Sequence, residues 1–163
     1  LVLRRQRQMC IRDSHMAYFC DLTIASENSI FGQNGPRVGS PAGGAIVAHS
    51  ANILGHKRAR EMWMTCKRYS ATEMMNWGLV NSVVKKEKLD DEVKKYGDEI
   101  LKAAPTCLKI LKASFRKQFD EILKITQKSM VEEVSPEYFK TGEQAEGAKA
   151  FLEKRKPNFK KFR

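Results

Sequence analysis

Apolar positions first gather between Phe19 and Ala25, with Asp21 as the odd member, and this run predicts a buried strand. Ile30 and Phe31 predict a second, shorter strand. From Gly43 to Leu54 the pattern turns helical and Gly55 closes it; Lys57 to Lys67 predicts another helix, with Ala59, Met62, Trp63 and Cys66 at three- and four-residue steps on one face. Ser70 and Glu73 have the spacing of a capping box, and Gly78 lies where the short helix they open would end. Leu79 to Val84 reads as a strand. The next helix begins with Asp90, Asp91 and Glu92, acids that suit the positive end of a helix dipole, and carries Leu89, Val93, Tyr96 and Ile100. Pro105 opens a last long helix with a stripe of Leu108, Leu111, Phe115, Phe119 and Ile122, suited to a core or a subunit interface. Strands thus come first and helices afterwards, an α/β order with a helical last third.

Between the first strands and the first helix lies a stretch of a different kind. Ser29 to Gly44 holds five of the ten glycines and two of the five prolines, so backbone amides can approach a ligand closely between rigid points. The bland alternative is a plain strand-to-helix connection. The stretch is too apolar for a flexible linker, which points to an ordered loop with a task.

Composition changes the picture at both ends. The formal charge of +11 invites a nucleic-acid or membrane-surface reading. Arg4, Arg5, Arg7 and Arg12 against Asp13 supply +3 of it and the last ten residues +6, which leaves +2 for residues 14–153. The body is therefore nearly balanced. A terminal basic run is usually solvated, but it can also hold a polyphosphate.

Arg4 to Asp13 (RRQRQMCIRD) can be written in codons that resemble a transposon-type sequencing adapter read in frame. No apolar region of a targeting peptide follows. On this reading residues 1–14 are non-native, the native part begins near His15 with its upstream portion missing, and deletion of Leu1 to Ser14 leaves thermal stability unchanged.

Beyond the adapter there are three cysteines, Cys20, Cys66 and Cys107, widely spaced and odd in number. No pair has zinc-ligand spacing, so the expectation is no metal and reduced thiols in a cytoplasmic protein, with Cys20 and Cys107 in the core. No apolar run is long enough to span a bilayer. The expectation is no membrane partner.

Several blocks together carry a resemblance: Cys20 to Ala25 (CDLTIA), Phe31 to Ser40 (FGQNGPRVGS), Lys57 to Trp63 (KRAREMW), Gly78 to Asn81 (GLVN) and Glu153 to Phe159 (EKRKPNF). They resemble, at matching spacing, the C-terminal half of the crotonase (enoyl-CoA hydratase/isomerase) superfamily. Within it the resemblance is greatest to 1,4-dihydroxy-2-naphthoyl-CoA synthases (naphthoate synthases), with ring-opening 2-ketocyclohexanecarboxyl-CoA hydrolases nearly equal. The implied fold is a ββα spiral core, cut short and contained in residues 15–84, followed over residues 85–163 by a helical region that makes trimers or hexamers and contacts CoA. The implied chemistry holds an acyl-CoA thioester so that two backbone amides stabilise an enolate, each donor worth about 3 to 4 kcal/mol of barrier. In the family both amides lie upstream of His15, so the chain alone is expected to be inactive.

The resemblance also assigns sites. The two hydratase glutamates fall on His15 and Gly35, which argues against ordinary hydration. In one branch of the naphthoyl-CoA synthases a bound hydrogencarbonate serves as base, and its glutamine, glycine and tryptophan fall on Gln33, Gly35 and Trp63. Neutral amide and indole donors can hold an anion without a cation that would suppress its basicity. The bland alternative makes Trp63 only a core residue. Asn34 and Ser40 match substrate contacts, Lys154 with Phe151 beside it matches a lysine on CoA, and the family tyrosine falls on Phe139, next to Tyr138. A family aspartate that meets the substrate ring falls on Ala42, after Pro41, which weakens the case for a ring-closing condensation. The implied function is a carbon–carbon lyase of menaquinone biosynthesis; the alternatives are the ring-opening hydrolase and a non-catalytic oligomerisation module. An RNA-binding reading lacks the expected interleaving of aromatic and basic residues, so no nucleic-acid partner is expected.

Overall fold

The computed structural model describes residues 11–125 and 130–162. The described part opens with helix α1 (Ile11–Phe19), followed by strands β1 (Ile24–Ser26) and β2 (Ile30–Gly32) and helices α2 (Ala45–Leu54) and α3 (His56–Thr65). Then come β3 (Arg68–Ser70), α4 (Ala71–Asn76) and β4 (Ser82–Val84). Helices α5 (Leu89–Leu101), α6 (Pro105–Ile125), α7 (Met130–Val134), α8 (Tyr138–Thr141) and α9 (Glu143–Leu152) complete it. β1 pairs with β4 in parallel, Ala25 opposite Val83, and β2 pairs with β3 antiparallel, Phe31 opposite Tyr69. This is the mixed α/β order expected from the sequence.

The core lies between these short sheets and helices α1 to α4. Tyr18, Phe31, Leu54, Met62, Trp63, Tyr69, Met74 and Val80 are all buried in it. The apolar face of α3 is the one the spacing indicates, since Ala59, Met62, Trp63 and Cys66 are buried. α3 ends because Cys66 adopts a left-handed conformation, φ 51°, with its N–H on the Met62 carbonyl, so Lys67 lies outside the helix. The capping box of α4 is complete: Ser70 Oγ accepts from the Glu73 N–H, and Glu73 Oε2 accepts from the Ser70 N–H.

Several expectations need correction. Residues 19–23 are not strand. α1 runs to Phe19 and the Cys20 N–H still donates to the Met16 carbonyl, because Ser14, Ala17 and Tyr18 are buried at helical spacing while Phe19 is half-exposed. The strand expected over Leu79–Val84 is only Ser82–Val84: the Leu79 and Val80 N–H groups donate to the Met74 carbonyl, which takes them out of any ladder. β3 was not foreseen. Cys107 is exposed rather than in the core, Cys20 is half-buried, and Cys66 is the buried one.

Ser14, expected to have no packed role, has one. It is buried, and its hydroxyl accepts from the Gly32 N–H at 3.2 Å. Of the adapter-like run, residues 1–10 lie outside the described residues. Among the described residues no helix is long and apolar enough to cross a membrane.

Replacing Ser14 with Ala leaves the Gly32 N–H without its partner in a partly buried site, at a cost of about 1 to 3 kcal/mol. Urea denaturation should show a lowered midpoint with an unchanged slope.

Candidate functional site

Gln33 directly follows β2 and is 2% exposed. A buried amide has to be paired, and here it lies in a directed chain. His15 Nε2 donates to Gln33 Oε1 at 2.9 Å, Gln33 Nε2 donates to the Tyr18 hydroxyl at 3.4 Å, and that hydroxyl donates to Met62 Sδ at 3.2 Å. Burial holds the Tyr18 pKa above its usual value, with the bond from Gln33 acting the other way, so the phenol stays protonated. The His15 ring also lies 5.9 Å from the Trp63 ring. Gln33, Trp63 and His15 are thus brought together by β2, α3 and α1.

The chain then turns sharply. The Val38 and Ser40 N–H groups both donate to the Gly35 carbonyl, at 3.0 and 2.9 Å, which folds residues 35–40 into a closed turn. Gly35 is buried, and a Cβ there would stand 2.9 Å from the Ser40 carbonyl oxygen. Gly39 needs its left-handed φ of 64°, and the Tyr138 hydroxyl donates to its carbonyl. Asn34 is half-buried, with its carbonyl accepting from the Val38 N–H; Ser40 and Ala42 are exposed.

Trp63 departs from the expected anion site. An indole has one N–H, and Trp63 Nε1 donates it to Ser50 Oγ at 2.9 Å inside the core. Ser50 in turn donates to the Val47 carbonyl. Gln33 keeps one amide hydrogen beyond its bond to Tyr18, but the three-donor set is not assembled in this fold. As folded, the residues do not complete a hydrogencarbonate site.

The C-terminal candidates sit on α8 (Phe139), in the last turn of α9 (Phe151) and just beyond α9 (Lys154). Phe139 is 65% exposed and meets the Tyr138 ring edge-on. Phe151 is 75% exposed, and Lys154 has a left-handed φ of 53°, its N–H on the Phe151 carbonyl. Both lie beyond Gly147, the point at which α9 touches the turn at Val38. Among the described residues no three His, Cys, Asp or Glu side chains form a group able to hold a metal.

Sequence reasoning missed Tyr18, Ser50 and Gly147 as parts of this arrangement. Tyr18 and Ser50 act across 44 and 13 residues, on Met62 and Trp63. Gly147 did leave a signal, a glycine inside a helical run, which marks a close approach.

The family model for enoyl-CoA hydratase/isomerase matches residues 14–162. Among solved structures the chain is similar to a methylmalonyl-CoA decarboxylase in complex with 2-nitronate-propionyl-CoA, at 25% identity and a TM-score of 0.73, covering 90% of this chain and 56% of that one. It is also similar to enoyl-CoA hydratase from Mycobacterium tuberculosis H37Rv, at 27% identity and a TM-score of 0.62, covering 69% and 51%. An enoyl-CoA hydratase/isomerase from Pseudoalteromonas atlantica T6c shares the fold at 24% identity and a TM-score of 0.74, covering 90% and 58%. The chain therefore spans little more than half the length of these proteins.

If the Trp63 indole serves Ser50, Trp63→Phe and Ser50→Ala should each destabilise the fold by about 1 to 2 kcal/mol, and the double variant should cost less than their sum. A denaturation cycle on the four proteins measures the coupling; strict additivity would contradict it.

Proposed function

The chain belongs to the enoyl-CoA hydratase/isomerase family, and from that premise we propose that, joined to the rest of a full-length family member, it processes an acyl-CoA thioester through an enolate. The finer reading is a carbon–carbon lyase of the 1,4-dihydroxy-2-naphthoyl-CoA synthase type. One observation carries it above hydration. The glutamates of the hydratases are replaced by His15 and Gly35, and what the fold puts beside the turn is the neutral Gln33 amide. Hydration needs an acid and a base for water, and a neutral amide supplies neither. Enolate chemistry needs donors for a developing oxyanion, a substrate held in place and a base that takes the α-proton, and this base, like the oxyanion amides, is assigned to the upstream part of the protein.

In this reading the Gly35–Ser40 turn, with Asn34, forms a wall against the acyl group, and Lys154 and Phe151 meet the CoA. Ser40 and Phe139 are exposed, as substrate contacts must be. The oxyanion amides are assigned to the upstream part of the protein. No step is routed through hydrogencarbonate. The assembly is proposed to be a trimer or hexamer, and Ile110, Leu111 and Phe115, exposed on α6, supply apolar surface for it.

A second reading, the ring-opening hydrolase of a cyclic β-oxoacyl-CoA, is favoured by a specific pair of observations. Ala42 offers no carboxylate to a substrate ring, and the Trp63 N–H is committed to Ser50. Opening the ring breaks the same kind of carbon–carbon bond with water as the second reactant.

The 163-residue chain alone should show no acyl-CoA turnover, whereas a protein completed with the upstream half should exchange the substrate α-proton for deuterium in D2O, followed by mass spectrometry. Without the two oxyanion donors the rate should fall by several orders of magnitude, at about 10²- to 10³-fold for each. Turnover by the chain alone, or no α-exchange by the completed enzyme, would overturn the enolate reading. The mass of the product separates the two finer readings: a ring-closed product supports the lyase, and a ring-opened product that has taken up one water supports the hydrolase.

A further inference from the structure

Glu146 is the one buried acid among the described residues, with 7% of its side chain exposed, and the reading above gives it no task. Its carboxylate is gripped by the tail that follows α9. Arg155 donates from Nη1 at 2.7 Å and from Nη2 at 3.3 Å, the Asn158 N–H donates at 2.8 Å, and Lys161 Nζ at 3.4 Å. These bonds fold residues 153–162 back along α9, until the Phe162 ring lies 3.6 Å from where a Cβ on Gly142 would stand.

The next residue, Gly147, is where α9 meets the turn. A Cβ on Gly147 would fall 1.9 Å from the Val38 carbonyl oxygen, and one on Gly39 would fall 2.5 Å from the Glu143 carbonyl oxygen. Helix and turn therefore touch backbone to backbone. Tyr138 adds its hydroxyl on Gly39. A contact this close transmits any shift of α9 directly to residues 35–40.

We propose that Glu146 is a positioning residue: held by the folded-back tail, its carboxylate fixes α9 against the Gly35–Ser40 turn and so sets the shape of the candidate site. This rests on the reading of that turn as part of the site. The charged groups around the carboxylate are Arg155 and Lys161 on the tail, Glu153, which shares Arg155, and Glu143 one turn back on α9; Arg37 of the turn is directed to the Thr65 carbonyl. The bonds from Arg155 and from the Asn158 N–H lower the Glu146 pKa from 4.5 to about 2. A depressed carboxylate stabilises the fold above its unfolded-state pKa and loses that effect as pH falls through the folded value, so the brace is complete above about pH 4.5 and released towards pH 2.

The test is amide hydrogen exchange on the 163-residue chain, read by NMR at Val38 and Ser40 and, as controls, at Phe31 and Tyr69 in the β2–β3 ladder. It needs no turnover, so its failure is distinct from failure of the enolate reading. Glu146→Gln should speed exchange at Val38 and Ser40 about ten-fold or more and leave the ladder unchanged. Glu146→Asp, which keeps the charge, should restore part of the protection. In the parent chain the turn should lose protection between pH 4.5 and 2, and in Glu146→Gln that pH dependence should vanish. Unchanged exchange at the turn, or an equal rise at turn and ladder, would overturn the proposal.

Discussion

The requirement that a buried amide be paired governs the arrangement around Gln33. With 2% of its surface exposed, the side chain depends on His15 for its oxygen and on Tyr18 for one of its hydrogens, and both partners lie on α1. An unpaired buried amide costs more than its hydrogen bond contributes when made, so α1 is tied to the end of β2. Tyr18 passes the tie to α3 through Met62. His15 and Ser14, in the middle of α1, are therefore structural necessities for the candidate site even before any chemistry is considered.

The second constraint is steric. Glycine allows α9 to rest on the turn through backbone atoms alone, and no other residue fits at 147 without displacing the Val38 carbonyl. The turn is thus held from two sides: Gln33 anchors its start within the core, and α9 with Tyr138 bears on its end. Held in this way, the turn leaves Ser40 and Ala42 exposed.

The same logic of committed donors limits the chemistry. A donor already bonded inside the core is unavailable to a ligand unless the core rearranges, and the Trp63 indole is such a donor. Family resemblance locates the tryptophan; the Ser50 hydroxyl decides whom it serves. Membership in the enoyl-CoA hydratase/isomerase family therefore does not by itself say which donors are free to meet a ligand.

Local rules written in the sequence determined much of this. The stripe of Ala59, Met62, Trp63 and Cys66, the Ser70–Glu73 box, and the acid-headed α5 form where spacing places them, because helix periodicity and capping are decided within a few residues. The glycine- and proline-rich connection was legible as an ordered turn for the same reason. Residues 19–23 were misread because short apolar runs suit strand and helix alike, and only the packing of Ser14, Ala17 and Tyr18 against distant partners carried a helix as far as Phe19. Leu79 and Val80 are apolar as a strand should be, yet their N–H groups went to Met74. The partner of Gln33, the partner of Trp63, and the contact between Gly147 and Val38 were fixed by tertiary structure alone. Each joins residues far enough apart in sequence that no local pattern records the pairing, and each is decided by which donors and which surfaces meet when the chain closes on itself.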